Sequence, residues 1–516
     1  QKLRHRPLAN LKDKYKMAKR VFIFEISGPT INFIRKYADQ LPAIRHFLDN
    51  GAWSQLTGPL QPVLPNSFAT LLSGKNPGKT GLFDSFKFPA GGYERIPFSL
   101  DSLGFETFYQ HLSTAGIRVG LLNVPLTWQL PAVNGFVVSG DEGIGEDYAY
   151  PAEVRQQIKN DGYFVPFGAS YSPGREMNFF KHCMDVLEMR RRALRLLFKN
   201  QQWQFGMLTL YVFGELMHSF WKYYDQRHPD FRPVSEVFGS VDPFLEGLKS
   251  IDRILNEITE LSGPDSLIIM LGAWGHRLEH SKVHLNAFLE LKGYLRFRKT
   301  LTSRVKYIFY RTGLTASKAE KILHRLNLYK FIRYRMKSSQ RTAVSGSTFL
   351  SYQDVDWSRT KAVAMGYLGQ IFLNVSNHRP AGVVRKDDYP SELDRLRRLL
   401  EDLRDPPSGR QIVDRVFSRE EIYSGQELTN APDLVVKFRE GYSGDIGFSG
   451  GGRLVTKSPS NHSSDHWNES MFLASGRGIR PGEVKARLED IAPTVLHYLA
   501  VNVPQDYDGV SLPIFV

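Results

Sequence analysis

Short apolar runs, each closed by a glycine or serine and followed by a helical stretch, set the tightest limit on what this chain can fold into. Val21–Ile26, Phe205–Val212 and Leu267–Leu271 are apolar along almost their whole length, with no regular alternation of polar residues. Strands of that kind are buried on both faces, as in a parallel sheet covered by helices. The intervening text is helical. Ile251, Ile254, Leu255 and Ile258 fall at i, i+3, i+4 and i+7 within a helix expected over 241–261, and a long charged helix is expected over 175–200. Further strands are expected at 51–60, 117–123, 135–139, 362–365, 371–375 and 434–436, a short helix at 66–73 and a last helix at 489–499. The fold class is therefore α/β, a mostly parallel central sheet with helices on both faces. Such sheets bind ligands just beyond their strands, where glycine and serine stand here.

Composition narrows the class. With 516 residues and 42% hydrophobic content, the chain can bury a large core. Its single cysteine, Cys183, excludes an intramolecular disulfide and fits a reducing compartment. No apolar run approaches the roughly 20 residues of a membrane span. The expected location is cytoplasmic, with peripheral attachment to a membrane as a variant. The net charge of +14 is concentrated: Lys292–Arg341 holds 15 of the 67 Lys and Arg but one acid, Glu320, so the remainder balances. A uniform basic surface is excluded, and no specific nucleic-acid recognition is expected.

Three pieces follow from this distribution: a basic N-terminal extension over 1–20, an α/β domain made of 21–295 and 346–516, and a basic helical insertion over 296–345. Within the insertion, helices are expected at 304–311, 317–326 and 329–337, with Val305, Ile308 and Phe309 as one apolar stripe. Two readings of it stand. One is a helical cap over the site cleft with a solvated basic face. The other is an interfacial segment that meets an anionic membrane or an acidic protein partner through 292–341, with Arg333, Arg335 and Lys337 as contacts.

The stretch Pro62-Val63-Leu64-Pro65-Asn66-Ser67-Phe68, then Leu72-Ser73-Gly74-Lys75-Asn76-Pro77-Gly78-Lys79-Thr80-Gly81, resembles a segment of the alkaline phosphatase superfamily, in its type I phosphodiesterase/nucleotide pyrophosphatase branch. His280-Ser281-Lys282-Val283-His284-Leu285-Asn286, Asp356-Trp357-Ser358-Arg359-Thr360, Ala431-Pro432-Asp433-Leu434-Val435 and Glu489-Asp490-Ile491-Ala492-Pro493-Thr494 continue the likeness at the expected spacings. The resemblance implies an alkaline phosphatase-like fold and a two-zinc site for phosphate-ester hydrolysis.

The same resemblance places the site at Ser27, Leu64, Gly214, His218, Ala273, Trp274 and His466. His218 and His466 match family metal ligands; the other five positions do not. Where the family has a zinc-bound Thr or Ser nucleophile, Leu64 has no proton to lose and no lone pair to donate. Ser67, the nearest hydroxyl, would sit about 4.5 Å further along a helix. The expectation is a catalytically inactive, pseudoenzyme-like member that acts by binding or as a scaffold, with no cofactor. The alternative is a diverged hydrolase of phosphate or sulfate esters with a rebuilt site and zinc or another divalent metal. For that case the residual ligand candidates are His218, His466, Asp465 and His462. His276, His280 and His284 are expected as polar loop residues at the cleft rim, His276 and His280 being plausible contacts if the cleft binds something. Glu25 lies two residues before Ser27, on the same side of the strand. It is expected to pair with an arginine or lysine across the cleft, or else to replace the lost aspartate charge.

Overall fold

The computed structural model describes residues 19–88, 91–97, 104–127, 129–141, 147–165, 171–314 and 348–516. The expected N-terminal extension lies almost wholly outside these residues, and so do Arg333, Arg335 and Lys337. The chain divides into two compact units, each assembled from separated stretches. The first is Gln1–Asn76, Ser99–His276 and His466–Val516; the second is Pro77–Phe98 and Arg277–Asp465.

The first unit is built on a ten-stranded sheet. Its order runs Gly482–Glu483, Ala52–Thr57, Glu469–Gly476, Ser266–Leu271, Arg20–Ile26, Phe205–Leu210, Val119–Val124, Gly135–Ser139 and Ala149–Tyr150, with Ala486–Arg487 also paired to Ala52–Thr57. The three runs read as doubly buried from sequence are its centre. Arg20–Ile26 pairs in parallel with Phe205–Leu210 on one side and with Ser266–Leu271 on the other. From Val21 to Ile26 every residue is buried, Glu25 included. Two strands break the parallel pattern: Ala149–Tyr150 is antiparallel to Gly135–Ser139 at one edge, and Glu469–Gly476 is antiparallel to both its neighbours, Ala52–Thr57 and Ser266–Leu271. Sequence reading missed Glu469–Gly476, because only Met471–Ala474 is apolar and Ser and Gly flank that core.

Helices Glu176–Asn200 and Pro243–Ser262 cover the sheet and bury regular apolar stripes, such as Ile251, Ile254, Leu255 and Ile258. The second helix starts cleanly, because Asp242 accepts the free N–H groups of Phe244 and Leu245 and Pro243 stands in its first turn. Close packing dictates the glycine at 275, beside the site. A side chain at Gly275 would put its Cβ 2.0 Å from the carbonyl oxygen of Glu469 and 2.9 Å from the Thr30 methyl.

The second unit has a four-stranded sheet in the order Ala362–Ala364, Gln370–Leu373, Leu434–Phe438 and Val413–Ser418. A second small sheet forms around Gly275–Val283 with Gly441–Gly444 and Val455–Lys457. The start of the basic segment is a helix, Leu301–Arg311, capped by the Thr300 hydroxyl on the Ser303 N–H. The other two helices expected in that segment lie outside the described residues. No helix among the described residues is long and apolar enough to cross a membrane.

Candidate functional site

The seven positions drawn from the resemblance all belong to the first unit. They stand at the ends of its central strands and on two helices. Ser27 closes the Arg20–Ile26 strand. Gly214 and His218 lie one turn apart on Val212–Phe220, Ala273 and Trp274 follow Ser266–Leu271, and His466 comes from Ser464–Trp467. Leu64 is the first residue of Leu64–Ser73, where Asn66 secures the turn by accepting the Val63 N–H and donating to the Gln61 carbonyl. Ser67 is fully buried, and its hydroxyl donates to Asn66 Oδ1 at 3.3 Å. It is engaged inside the helix rather than presented as a substitute nucleophile.

At the end of the first strand the sequence expectation is corrected. No arginine or lysine meets Glu25 among the described residues. Instead the Ser27 hydroxyl donates to Glu25 Oε1 at 2.6 Å and the Ala273 N–H donates to the same oxygen at 3.1 Å. Burial pushes the Glu25 carboxyl up from 4.5 to about 8, against the lowering effect of those two hydrogen bonds. At neutral pH the carboxyl is mostly neutral, so it does not restore a lost aspartate charge either. Glu25 Oε2 and the Thr209 and Tyr211 hydroxyls on the neighbouring strand and its continuation are buried without a hydrogen bond.

Three imidazoles converge. His218, His276 and His466 bring ring nitrogens within 4.8 Å of one another, the group among the described residues with a metal-binding arrangement. His218 Nε2 lies 3.2 Å from His466 Nε2, and the His218 and His276 ring centroids are 4.3 Å apart. His276 is the member that sequence reading put in a loop at the cleft rim. It is instead the second residue of the Gly275–Val283 strand and only 2% exposed. A Cβ built on Gly214 would point at His276 Nε2 from 3.6 Å. The imidazole therefore lies in the direction that an aspartate side chain would take from that helix. The one signal the sequence offered was the bulk removed at Gly214, which leaves room for a side chain from elsewhere in the chain.

His280 and His284 are absorbed elsewhere. His280 hydrogen-bonds the Ser281 hydroxyl and packs on Tyr442, while His284 bonds the Thr456 hydroxyl. His462 and Asp465 belong to the second unit, where the Lys282 ammonium lies 3.4 Å from Asp465 and 3.0 Å from Glu279.

These residues do not fit the pair of metals that the resemblance implies. Two such ions need about three protein ligands each. Ser27 is committed to Glu25, and Gly214 and Ala273 bring no side-chain donor. The Trp274 indole is buried against His466, with ring centroids 4.8 Å apart, and against Phe68. For a single metal the three imidazoles offer one ligand atom each. Zinc–nitrogen bonds of about 2.05 Å in a tetrahedron put two ligand nitrogens about 3.3 Å apart, close to the His218–His466 separation. The Pro62 carbonyl lies 2.9 Å from His466 Nδ1 and accepts its proton, which leaves the Nε2 lone pair facing the other imidazoles.

Two solved structures similar over most of the chain are both of murine ectonucleotide pyrophosphatase/phosphodiesterase 5. One is an inactive variant in complex with AMP (12% identity, TM-score 0.45), and the other lacks that description (12% identity, TM-score 0.44). Each match covers 94% of this chain and 96% of that one. No curated protein gives a match. The family model for type I phosphodiesterase / nucleotide pyrophosphatase matches residues 21–445, and the chain belongs to that family.

Proposed function

We propose that this chain is a binding member of its family that does not hydrolyse phosphate esters by the family's route. The observation that carries this reading is Leu64, whose isobutyl side chain stands first on its helix where a hydroxyl nucleophile would have to be. The indole of Trp274 beside His466 supports it. Phosphoryl transfer depends on charge stabilisation by a clamp of cations and donors around the transferring group, and of the five positions that depart from the family's metal ligands, Leu64, Gly214 and Ala273 carry no polar side chain, Ser27 is engaged with Glu25, and Trp274 brings an indole that holds no metal. Hydrolysis of aryl phosphate mono- and diesters is expected at the buffer rate, and Leu64→Thr is expected to leave it there. Turnover by the parent protein that vanishes in His466→Ala would overturn the reading.

The three imidazoles favour a second reading, a rebuilt site around one divalent transition metal. Their nitrogen donors suit zinc first. His218, His276 and His466 would hold it, and a metal so held would supply an open, Lewis-acidic coordination position for water or a ligand. The protein's own part is to fix those rings: the Pro62 carbonyl sets the His466 tautomer, and burial holds His276 in place. Elemental analysis of protein purified without chelator separates the two readings. No metal leaves an imidazole-lined binding cleft. One metal per chain that is lost in His276→Ala, together with a zinc-dependent rise in melting temperature in the parent only, supports the rebuilt site. Two metals per chain would overturn both.

A further inference from the structure

The Leu301–Arg311 helix sits on the second unit with its faces reversed. It buries Ser303, Lys306 and Tyr310. Its apolar residues look outward: Leu301 is 80% exposed, Val305 42%, Ile308 58% and Phe309 37%. At about 100° per residue the exposed four fall within roughly one third of the helix circumference, opposite the buried three. The anchor explains the orientation. The Ser303 hydroxyl donates to Asp354 Oδ1 at 2.9 Å, the Lys306 ammonium lies 3.3 Å from Asp354 Oδ2, and all three are buried. Turning the helix over would hide its apolar stripe but leave the Asp354 carboxylate without its buried partners. The sequence stripe of Val305, Ile308 and Phe309 thus exists as expected, but among the described residues it faces away from the core of this unit.

Cations gather beside that stripe. Arg296, Arg298, Lys299, Arg304 and Arg359 line a cavity of about 490 Å³ that Ile308 also borders, and among the described residues Glu290 is the one acid in its lining. The Glu290 carboxylate accepts the Tyr307 hydroxyl. Among the described residues Arg296, Lys299 and Arg304 form no ion pair, and Arg359 reaches Asp356 only at 4.0 Å. Apolar side chains in one plane with a basic pocket at their edge match the interface of an anionic bilayer, with acyl chains for the stripe and lipid phosphate for the pocket.

We propose that this face docks on an anionic phospholipid membrane, with Leu301, Val305, Ile308 and Phe309 entering the headgroup–acyl boundary and the Arg296/Arg298/Lys299/Arg304/Arg359 pocket taking a lipid phosphate. The charge complementarity singles out a lipid surface that presents negative charge in a plane. The inference is independent of the histidine cluster.

The test is sedimentation of the full chain with phosphatidylcholine vesicles and with mixed phosphatidylcholine/phosphatidylserine vesicles. Binding is expected only to the mixed vesicles and is expected to fall as salt rises. Two double variants separate the two parts of the surface: Leu301→Glu with Ile308→Glu, and Lys299→Glu with Arg304→Glu. Each is expected to lower the apparent affinity at least about tenfold. Both pairs change exposed side chains, so an unchanged circular-dichroism melt shows that each variant folds. Failure of the parent to sediment with mixed vesicles overturns the proposal. Equal binding by parent and both folded variants does so as well. Binding to polyglutamate but not to vesicles would assign the face to an acidic protein and also overturn it.

Discussion

Replacing Glu25 by glutamine is expected to remove a loss of stability that the parent protein undergoes between about pH 4.5 and pH 8. The Glu25 carboxyl is raised from 4.5 to about 8 by burial. Below pH 4.5 it is protonated in both folded and unfolded chains and adds no pH dependence. Above 4.5 the unfolded chain releases the proton while the folded one keeps it, so the unfolded state is progressively favoured until about pH 8, where the folded carboxyl ionises too. At about 1.36 kcal/mol per pH unit the ceiling is between 4 and 5 kcal/mol, and relaxation around the charge reduces it to a few. Denaturant midpoints of parent and Glu25→Gln at pH 5 and pH 8 check this. Glu279, also pushed up by burial, contributes a slope of the same sign to both proteins, so the difference between them isolates Glu25. The glutamine amide nitrogen would stand where Glu25 Oε2 finds no hydrogen bond, so the variant is expected to start lower at pH 5. Identical slopes for parent and variant would show that Glu25 is ionised in the fold.

Gly275→Ala is expected to be the more damaging change. The new Cβ would lie 2.0 Å from the Glu469 carbonyl oxygen, and that oxygen is backbone, unable to swing aside. Something must separate: the 275–283 strand from the 469–476 strand, or Gly275 from Thr30. Disturbance of this size in a buried core belongs to the tail above about 4 kcal/mol. His276 is the next residue, so the shift would also pull one imidazole from the cluster. A urea titration followed by tryptophan fluorescence should give a midpoint far below that of the parent, or no folded baseline. An unchanged midpoint would show that the backbone around Gly275 gives way to a Cβ at little cost.

Much of the fold was legible because it rests on composition within short runs. Val21–Ile26 and Leu267–Leu271 have no room for a solvated face, and the structure puts both at the sheet centre. The Glu469–Gly476 strand was not legible, because what makes it a strand is its two neighbours, 400 and 200 residues away in order of magnitude. At the site, the resemblance located His218 and His466, but it could not say what would fill the place of a missing ligand. His276 enters from a strand because Gly214, on a helix, leaves space for it, a coupling between distant residues that no local pattern carries. Glu25 shows the same limit. Its position beside Ser27 was readable from strand periodicity, but whether a cation or a hydroxyl would meet it depended on Ala273 and Ser27 closing over it.

The placement of Glu469–Gly476 bears on how the protein can be made. The Ala52–Thr57 strand has three strand neighbours, Glu469–Gly476, Gly482–Glu483 and Ala486–Arg487, and all of them lie about 400 residues or more further along the chain. At 5–20 residues per second, roughly 10–40 s separate the emergence of Ser266–Leu271 from that of the strand that pairs with it. Throughout that interval the nascent chain carries an early strand with no partner and a central strand with one open edge, both rich in apolar residues. Ribosome-bound chains are therefore natural clients for a chaperone that shields strand edges. A chain truncated just before Glu469 should be insoluble rather than a smaller soluble fragment.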